Sequence, residues 1–206
     1  MKDYVVVKQA LDPKIAEFVY DYFLMKRQVA KTKYDNGAPI TEEYGVWSDP
    51  HVPDTYSHYA DIVMETLLRR LKPLMERETG LNLNETYSYA RIYKKGDVLH
   101  RHKDRFSCEI STTMNIGGDP WPIFIEPNIK VDLGVGDMLV YRGCDLEHWR
   151  DEFDGDNCGQ VFLHYNNTET KGSDENLYDG REHLGLPSHF KKRPTTTTSG
   201  LKFNFN

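Results

Sequence analysis

The sequence predicts an α+β fold in which two N-terminal helices precede an antiparallel β core of sandwich or barrel type. Three observations carry this. Apolar residues recur at three-to-four spacing as far as Gly80, short β-branched and aromatic runs follow, and clusters of turn formers separate those runs at intervals suited to antiparallel strands.

The first helix is expected over residues 13–32, where Ile15, Phe18, Val19, Tyr22 and Phe23 form an apolar face and Asp12 is the N-cap. Residues 33–56 are dense in turn formers, among them Asn36, Gly37, Pro39, Asp49, Pro50 and Pro53, and read as an ordered loop. A second helix is expected over 58–78. Tyr59, Ile62, Val63, Leu67, Leu71, Leu74 and Met75 form its stripe, Arg69 and Arg70 its polar side, Pro73 a kink point and Gly80 its stop. Strands are expected at 87–94, 109–116, 121–126, 131–133, 138–141 and 160–165, with turns at 95–97, 117–120, 134–137 and 154–157. Beyond Asn167 the chain is polar and interrupted by Gly172, Gly180 and Gly185, and 194–200 is a threonine-rich low-complexity run. The expected organisation is one domain: 1–83 as helical support and loop, 84–167 as β core, 168–206 as C-terminal extension.

A chain of 206 residues with 38% hydrophobic and 28% charged side chains can bury a continuous core. No run approaches the roughly 18 apolar residues of a membrane span, and a net charge of -6 disfavours a polyanionic partner, so neither membrane nor nucleic acid is expected. The valines at 5–7 are followed at once by Lys8, too short a run for a secretory leader, which predicts a cytoplasmic protein. Cys108, Cys144 and Cys158 are odd in number and widely spaced, and read as reduced thiols.

His102-Lys103-Asp104 is the first candidate for chemistry. In an extended segment residues i and i+2 project to one side, so an imidazole and a carboxylate can share a cation. Alone the triplet is a weak signal. The stretch 105–147 holds about four strand-sized pieces, enough to bring a strand-borne His148 back beside the pair. Two imidazoles and one carboxylate on one face of an octahedron hold Fe(II) with three positions open, and a zinc hydrolase uses the same residue types, so the ligands alone do not choose the metal.

The stretch 91–105, with Tyr93, the turn at Gly96 and His102-x-Asp104, resembles the entry to the metal site of the Fe(II) and 2-oxoglutarate dependent oxygenases, in their prolyl-hydroxylase-like branch of bacterial or phage type. Residues 136–141 resemble that family's turn before a barrel strand, and Leu146 to Arg150 its distal-histidine segment; the likeness spans about 87–167. It implies a double-stranded β-helix, a jelly-roll or cupin-like barrel, with the N-terminal helices packed on one sheet. It implies His102, Asp104 and His148 as iron ligands and Tyr93 as a hydroxyl donor to a carboxylate of 2-oxoglutarate, with Arg91 on the same face. Where the family usually has a basic residue on the strand after the distal histidine, this chain has Gln160 and His164 as the comparable cosubstrate contacts, neither a permanent cation, so either one of Arg91, Arg105, Arg142 or Arg150 pairs with the far carboxylate or cosubstrate affinity is low.

The implied cofactors are Fe(II) and the cosubstrate 2-oxoglutarate, with ascorbate left open as a third. The implied activity is a dioxygenase hydroxylating a peptidyl side chain or a small amino-acid-like substrate, with 33–53 and 171–185 as lids. Two alternatives stay open on the same fold, a cupin-like binding module without turnover and a metal-dependent hydrolase. By alternation with His102, His100 is expected at the lip of the site; Arg105 and Arg142 are expected as rim charges.

Overall fold

The computed structural model describes residues 3–39 and 41–191. Tyr4–Val7 forms β1, a strand not anticipated from the sequence, and α1 spans Pro13–Asp35 with the Asp12 carboxylate accepting from the Lys14 amide at 2.9 Å. The next expected helix begins later than its apolar stripe. Tyr56–Tyr59 is a strand, β2, and α2 runs Ile62–Thr79 from an Asp61 cap that accepts from the amides of Val63 and Met64. The cap decides the boundary: the Asp61 carboxylate satisfies two amides that nothing further upstream could reach. Pro73 lies inside α2 without ending it, and Gly80, at φ 70°, closes it in the left-handed conformation.

The β core follows as β3 (Leu83–Lys94), β4 (Leu99–His102), β5 (Ile110–Gly118), β6 (Ile123–Ile125), β7 (Ile129–Val131), β8 (Met138–Arg142), β9 (His148–Arg150) and β10 (Asn157–Asn167). All pairings are antiparallel. Among the described residues they make two sheets, ordered β1-β8-β5-β10-β3-β2 and β4-β9-β6-β7, so the ladders do not close into one hydrogen-bonded barrel.

Strand alternation builds three layers. Met138 and Val140 of β8, with Val161, Leu163 and Tyr165 of β10, join the core under α1 and α2. Leu139 and Tyr141, one residue out of phase, pack with Ile123, Ile125 and Val131 of the small sheet. The large sheet is thus covered on both faces, and β5 and β10 are buried almost end to end. The face that α1 buries is only partly the expected one: Val19 and Phe23 are buried and Tyr22 packs against the core. Ala16, Val19, Phe23 and Ala30 face the sheet, whereas Ile15 and Phe18 are 49% and 69% exposed. Ala16 and Ala30 flank Val19 and Phe23 on the buried face and let the helix axis approach the sheet closely, with Ile15 and Phe18 turned outward.

No helix of the structure is long and apolar enough to cross a membrane. Cys108, Cys144 and Cys158 are free, two of them buried. The threonine-rich run at 194–200 lies outside the described residues.

Candidate metal centre

The register of β4 against β9 sets His102 opposite His148 and Leu99 opposite Arg150, so three steps on one strand answer two on the other. The extra residue is a bulge, and it breaks the alternation on which His100 was expected beside His102. His100 turns to solvent; only its carbonyl serves the site, accepting from His102 Nδ1 at 2.7 Å. His148 Nδ1 donates in the same way to the Leu146 carbonyl at 3.1 Å. A carbonyl only accepts, so each neutral ring carries its proton on Nδ1 and presents Nε2 as a lone pair. Asp104 is held by its amide on the Gly143 carbonyl at 2.9 Å and by the Ser111 hydroxyl on Oδ2 at 2.8 Å. Position 143 must be glycine, because a Cβ there would collide with Asp104 Oδ2 and the Cys108 carbonyl.

Asp104 Oδ1 lies 3.6 Å from His102 Nε2 and 3.5 Å from His148 Nε2, and the three donor atoms fall within 4.8 Å of one another. That spacing is too long for a hydrogen bond. It is close to the roughly 3.0–3.4 Å between atoms that each sit about 2.1 Å from a common ion. Burial pushes the Asp104 carboxyl up, but the facing imidazoles, when protonated, outweigh it and hold the group well below the usual carboxylate range. The anionic form that a cation needs is the form present.

The other expected residues divide into two groups. Arg150 is about 1% exposed, donates to the Trp121 carbonyl, to Thr113 Oγ1 at 3.2 Å and to Gln160 Oε1 at 3.1 Å, and its Nε has no partner. Among the described residues no carboxylate lies within ion-pair distance of it, and burial lowers its pKa. Tyr93 is fully buried and accepts from Arg91 Nη1 at 3.0 Å, which leaves its own proton to donate. His164 is set apart: its Nδ1 meets Ser111 Oγ at 3.0 Å, its ring packs on Tyr87, and burial pushes it down to about 4.

Arg91 already has an acid. Its Nη2 pairs with Asp49, which also accepts from the Tyr89 hydroxyl and, at 2.8 Å, from the His51 amide. Arg105 is likewise paired, with both terminal nitrogens on Asp179 at 2.8 Å, and Arg142 lies near Asp145 at 3.3 Å. The loop carrying Asp49 is anchored rather than loose, since Val52 is buried against Tyr93 and Leu99, and Thr55 donates to Asp97 at 2.7 Å.

The triad opens into a cavity of about 300 Å³ whose wall includes Arg91, Tyr87, Tyr89, Phe162 and His164. Leu99, Ile123 and Tyr141 also line this cavity, whereas Tyr93, Gln160 and Arg150 do not. Tyr87, Tyr89 and Arg105 also line a second hollow of about 450 Å³ between Glu42 and Ser188, so the two spaces adjoin. Sequence reasoning missed Asp49, Ser111 and Thr113. The last two carried a signal: Ser111, Thr113 and Asn115 place a polar row on one face of a strand otherwise rich in apolar residues.

No protein-family profile matches the sequence, and no curated protein does. Solved structures match the fold. A prolyl-4-hydroxylase of Pseudomonas putida aligns with a TM-score of 0.54 at 11% identity, over 80% of this chain and 92% of that one. The viral collagen prolyl hydroxylase of Paramecium bursaria Chlorella virus 1, in complex with 2-oxoglutarate, aligns at 0.56 and 10%, over 80% and 96%. HygX of Streptomyces hygroscopicus, with nickel and 2-oxoglutarate bound, aligns at 0.55 and 11%, over 81% and 84%. This chain therefore has the fold of the 2-oxoglutarate and Fe(II) dependent oxygenase superfamily, with prolyl hydroxylases among its structural neighbours.

Proposed function

We propose that the protein is a non-haem Fe(II) and 2-oxoglutarate dependent dioxygenase, built as a double-stranded β-helix, that hydroxylates a peptidyl side chain or a small amino-acid-like molecule. The observation that carries this reading is the convergence of His102 Nε2, His148 Nε2 and Asp104 Oδ1 within 4.8 Å at the floor of a cavity. Ferrous iron chelated by a 2-oxo acid supplies the activation of O2 needed to convert a substrate C–H to C–OH.

The protein's own groups hold, orient and shield. Two carbonyls fix the imidazole tautomers, and Ser111 fixes the carboxylate, so the ligands need little reorganisation to accept a cation. Arg150 is the assigned partner of the cosubstrate's far carboxylate. It is a fully buried guanidinium without an acid, it retains an unused Nε, and Thr113, Gln160 and the Tyr93 hydroxyl are the neutral groups disposed around the same region. Arg150 does not line the cavity, whereas Arg91, which does, is occupied by Asp49. Arg91 and Asp49 therefore belong to the substrate side in this reading, with His164 near the metal rather than at the oxoacid.

A cavity of about 300 Å³ is at the lower limit for small-molecule sites and admits a side chain or a small metabolite, with the remainder of a larger substrate in the outer hollow. Residues 1–83 act as support, 84–167 as the site-bearing core and the chain from 168 as an extension; the setting is cytoplasmic.

The test is anaerobic addition of Fe(II) and 2-oxoglutarate, followed by O2. A visible charge-transfer band on mixing and succinate after oxygenation are expected. Metal binding without the band would point to a hydrolase or another oxoacid, and no metal binding would leave a binding module.

A further inference from the structure

The Asp104 carboxylate has two sides. Oδ1 faces His102 and His148, while Oδ2 accepts from Ser111, and Asp104, Cys108 and His164 also bring their donor atoms within 4.8 Å of one another. We propose that these three residues form a second metal site, selective for a thiophilic divalent cation of the zinc type, sharing Asp104 with the histidine pair. This inference does not depend on iron being the ion beside His102.

The donor set is what separates the two sites. Two imidazoles and a carboxylate suit ferrous iron, whereas thiolate, imidazole and carboxylate together favour zinc, cobalt or cadmium. Placement is rigid, because the three residues come from separate elements that are individually pinned. The turn at Phe106–Cys108 is held by Asn166 Nδ2 on the Phe106 carbonyl at 2.7 Å, by Thr86 Oγ1 on the Ser107 carbonyl at 2.6 Å and by the Cys108 amide on the Arg105 carbonyl at 2.8 Å. His164 stands on β10 within the large sheet, and Ser111 Oγ bonds the Cys108 carbonyl at 2.9 Å. Cys108 and His164 are buried, yet both line the cavity, so an ion entering it reaches them.

The surrounding charge permits a cation. Tyr87 Oη, 3.0 Å from Cys108 Sγ, and Ser111 Oγ are neutral. The nearest guanidinium, Arg105 over the Tyr87 ring, is neutralised by Asp179. The competing account of the same contacts is a closed hydrogen-bond network in which Ser111 links Asp104 to His164 and the thiol rests on Tyr87. It predicts no thiolate–metal signal.

The experiment is anaerobic titration of the whole chain with Co(II), followed by absorption. A near-ultraviolet thiolate-to-cobalt charge-transfer band is expected, absent in Cys108→Ser, weakened in His164→Asn and retained in His148→Ala. Retention in His148→Ala separates this site from the histidine pair, whose failure to bind would leave the band untouched. Circular dichroism confirms that each variant is folded, and His164→Asn gives an independent reading should Cys108→Ser not fold. No band in the wild type, or a band that survives Cys108→Ser and disappears in Cys144→Ser, overturns the proposal.

Discussion

Replacing Arg150 with methionine separates a binding role from a structural one. A buried guanidinium without an acid costs several kcal/mol in desolvation. Arg150 offsets this through hydrogen bonds to the Trp121 carbonyl, Thr113 and Gln160, leaving Nε unpaired. In Arg150→Met that penalty disappears, Thr113 and Gln160 still bond each other at 2.9 Å, and only the Trp121 carbonyl is stranded, a cost of about 1–3 kcal/mol. The two changes nearly cancel, so stability of the metal-free protein should move by no more than about 2 kcal/mol. Binding behaves differently, since a buried guanidinium–carboxylate pair is lost outright, about 3 kcal/mol or more, equivalent to at least a 100-fold weaker oxoacid. The assay is anaerobic titration of 2-oxoglutarate into the Fe(II)-loaded protein, beside denaturant unfolding of the metal-free form. Arg91→Met, which strands Asp49, should destabilise the fold yet leave oxoacid affinity within about threefold. Unchanged affinity in Arg150→Met, or the 100-fold loss in Arg91→Met instead, refutes the assignment.

Three further outcomes are expected. Arg181→Met should destabilise the protein by roughly 3–5 kcal/mol in denaturant unfolding, because it leaves Glu65 buried without the guanidinium 2.7 Å away; a change under about 1 kcal/mol would contradict this. Gly143→Ala should weaken ferrous binding by about 10-fold or more by displacing Asp104, and wild-type affinity in a metal titration would show that the close approach is not required. His58, buried with Nδ1 unpartnered, has its pKa lowered by burial first and the Lys26 charge second, against the opposing Glu43 carbonyl, Asp61 and Glu42. Its contribution to stability is thus present above about pH 6.5 and is lost as pH falls toward its folded value, so His58→Gln should flatten the stability–pH curve between about pH 7 and 5; parallel curves would contradict the attribution.

His102 and His148 end and begin strands and Asp104 lies two residues beyond β4; the triplet alone was a weak signal, and it was the resemblance of the segments 91–105 and 146–150 that singled out the three residues which the fold brings together. His100 was misplaced by strand alternation, since a one-residue bulge in β4 against β9 is a property of pairing and leaves no local mark. Arg150 was one of four candidate cations; only the fold shows that Arg91 and Arg105 already hold carboxylates and that Arg150 does not. Asp49 was invisible, being one acid in a turn-rich loop whose path across the sheet depends on Val52 and Thr55. The helices were readable as elements, and Val19 and Phe23 as part of the buried face of α1, but the exposure of Ile15 and Phe18 was not, because apolar residues occupy more of its circumference than the sheet can cover. The α2 boundary followed the Asp61 cap rather than the apolar stripe.

The central claim is that one ion is gripped jointly by His102, Asp104 and His148. Anaerobic Fe(II) binding by calorimetry, run on the wild type, Asp104→Ala, His148→Ala and His100→Ala, tests it most directly. Loss of ferrous binding in the first two variants with an unchanged isotherm for His100→Ala is the predicted result; binding that persists without Asp104, or falls equally without His100, would contradict it.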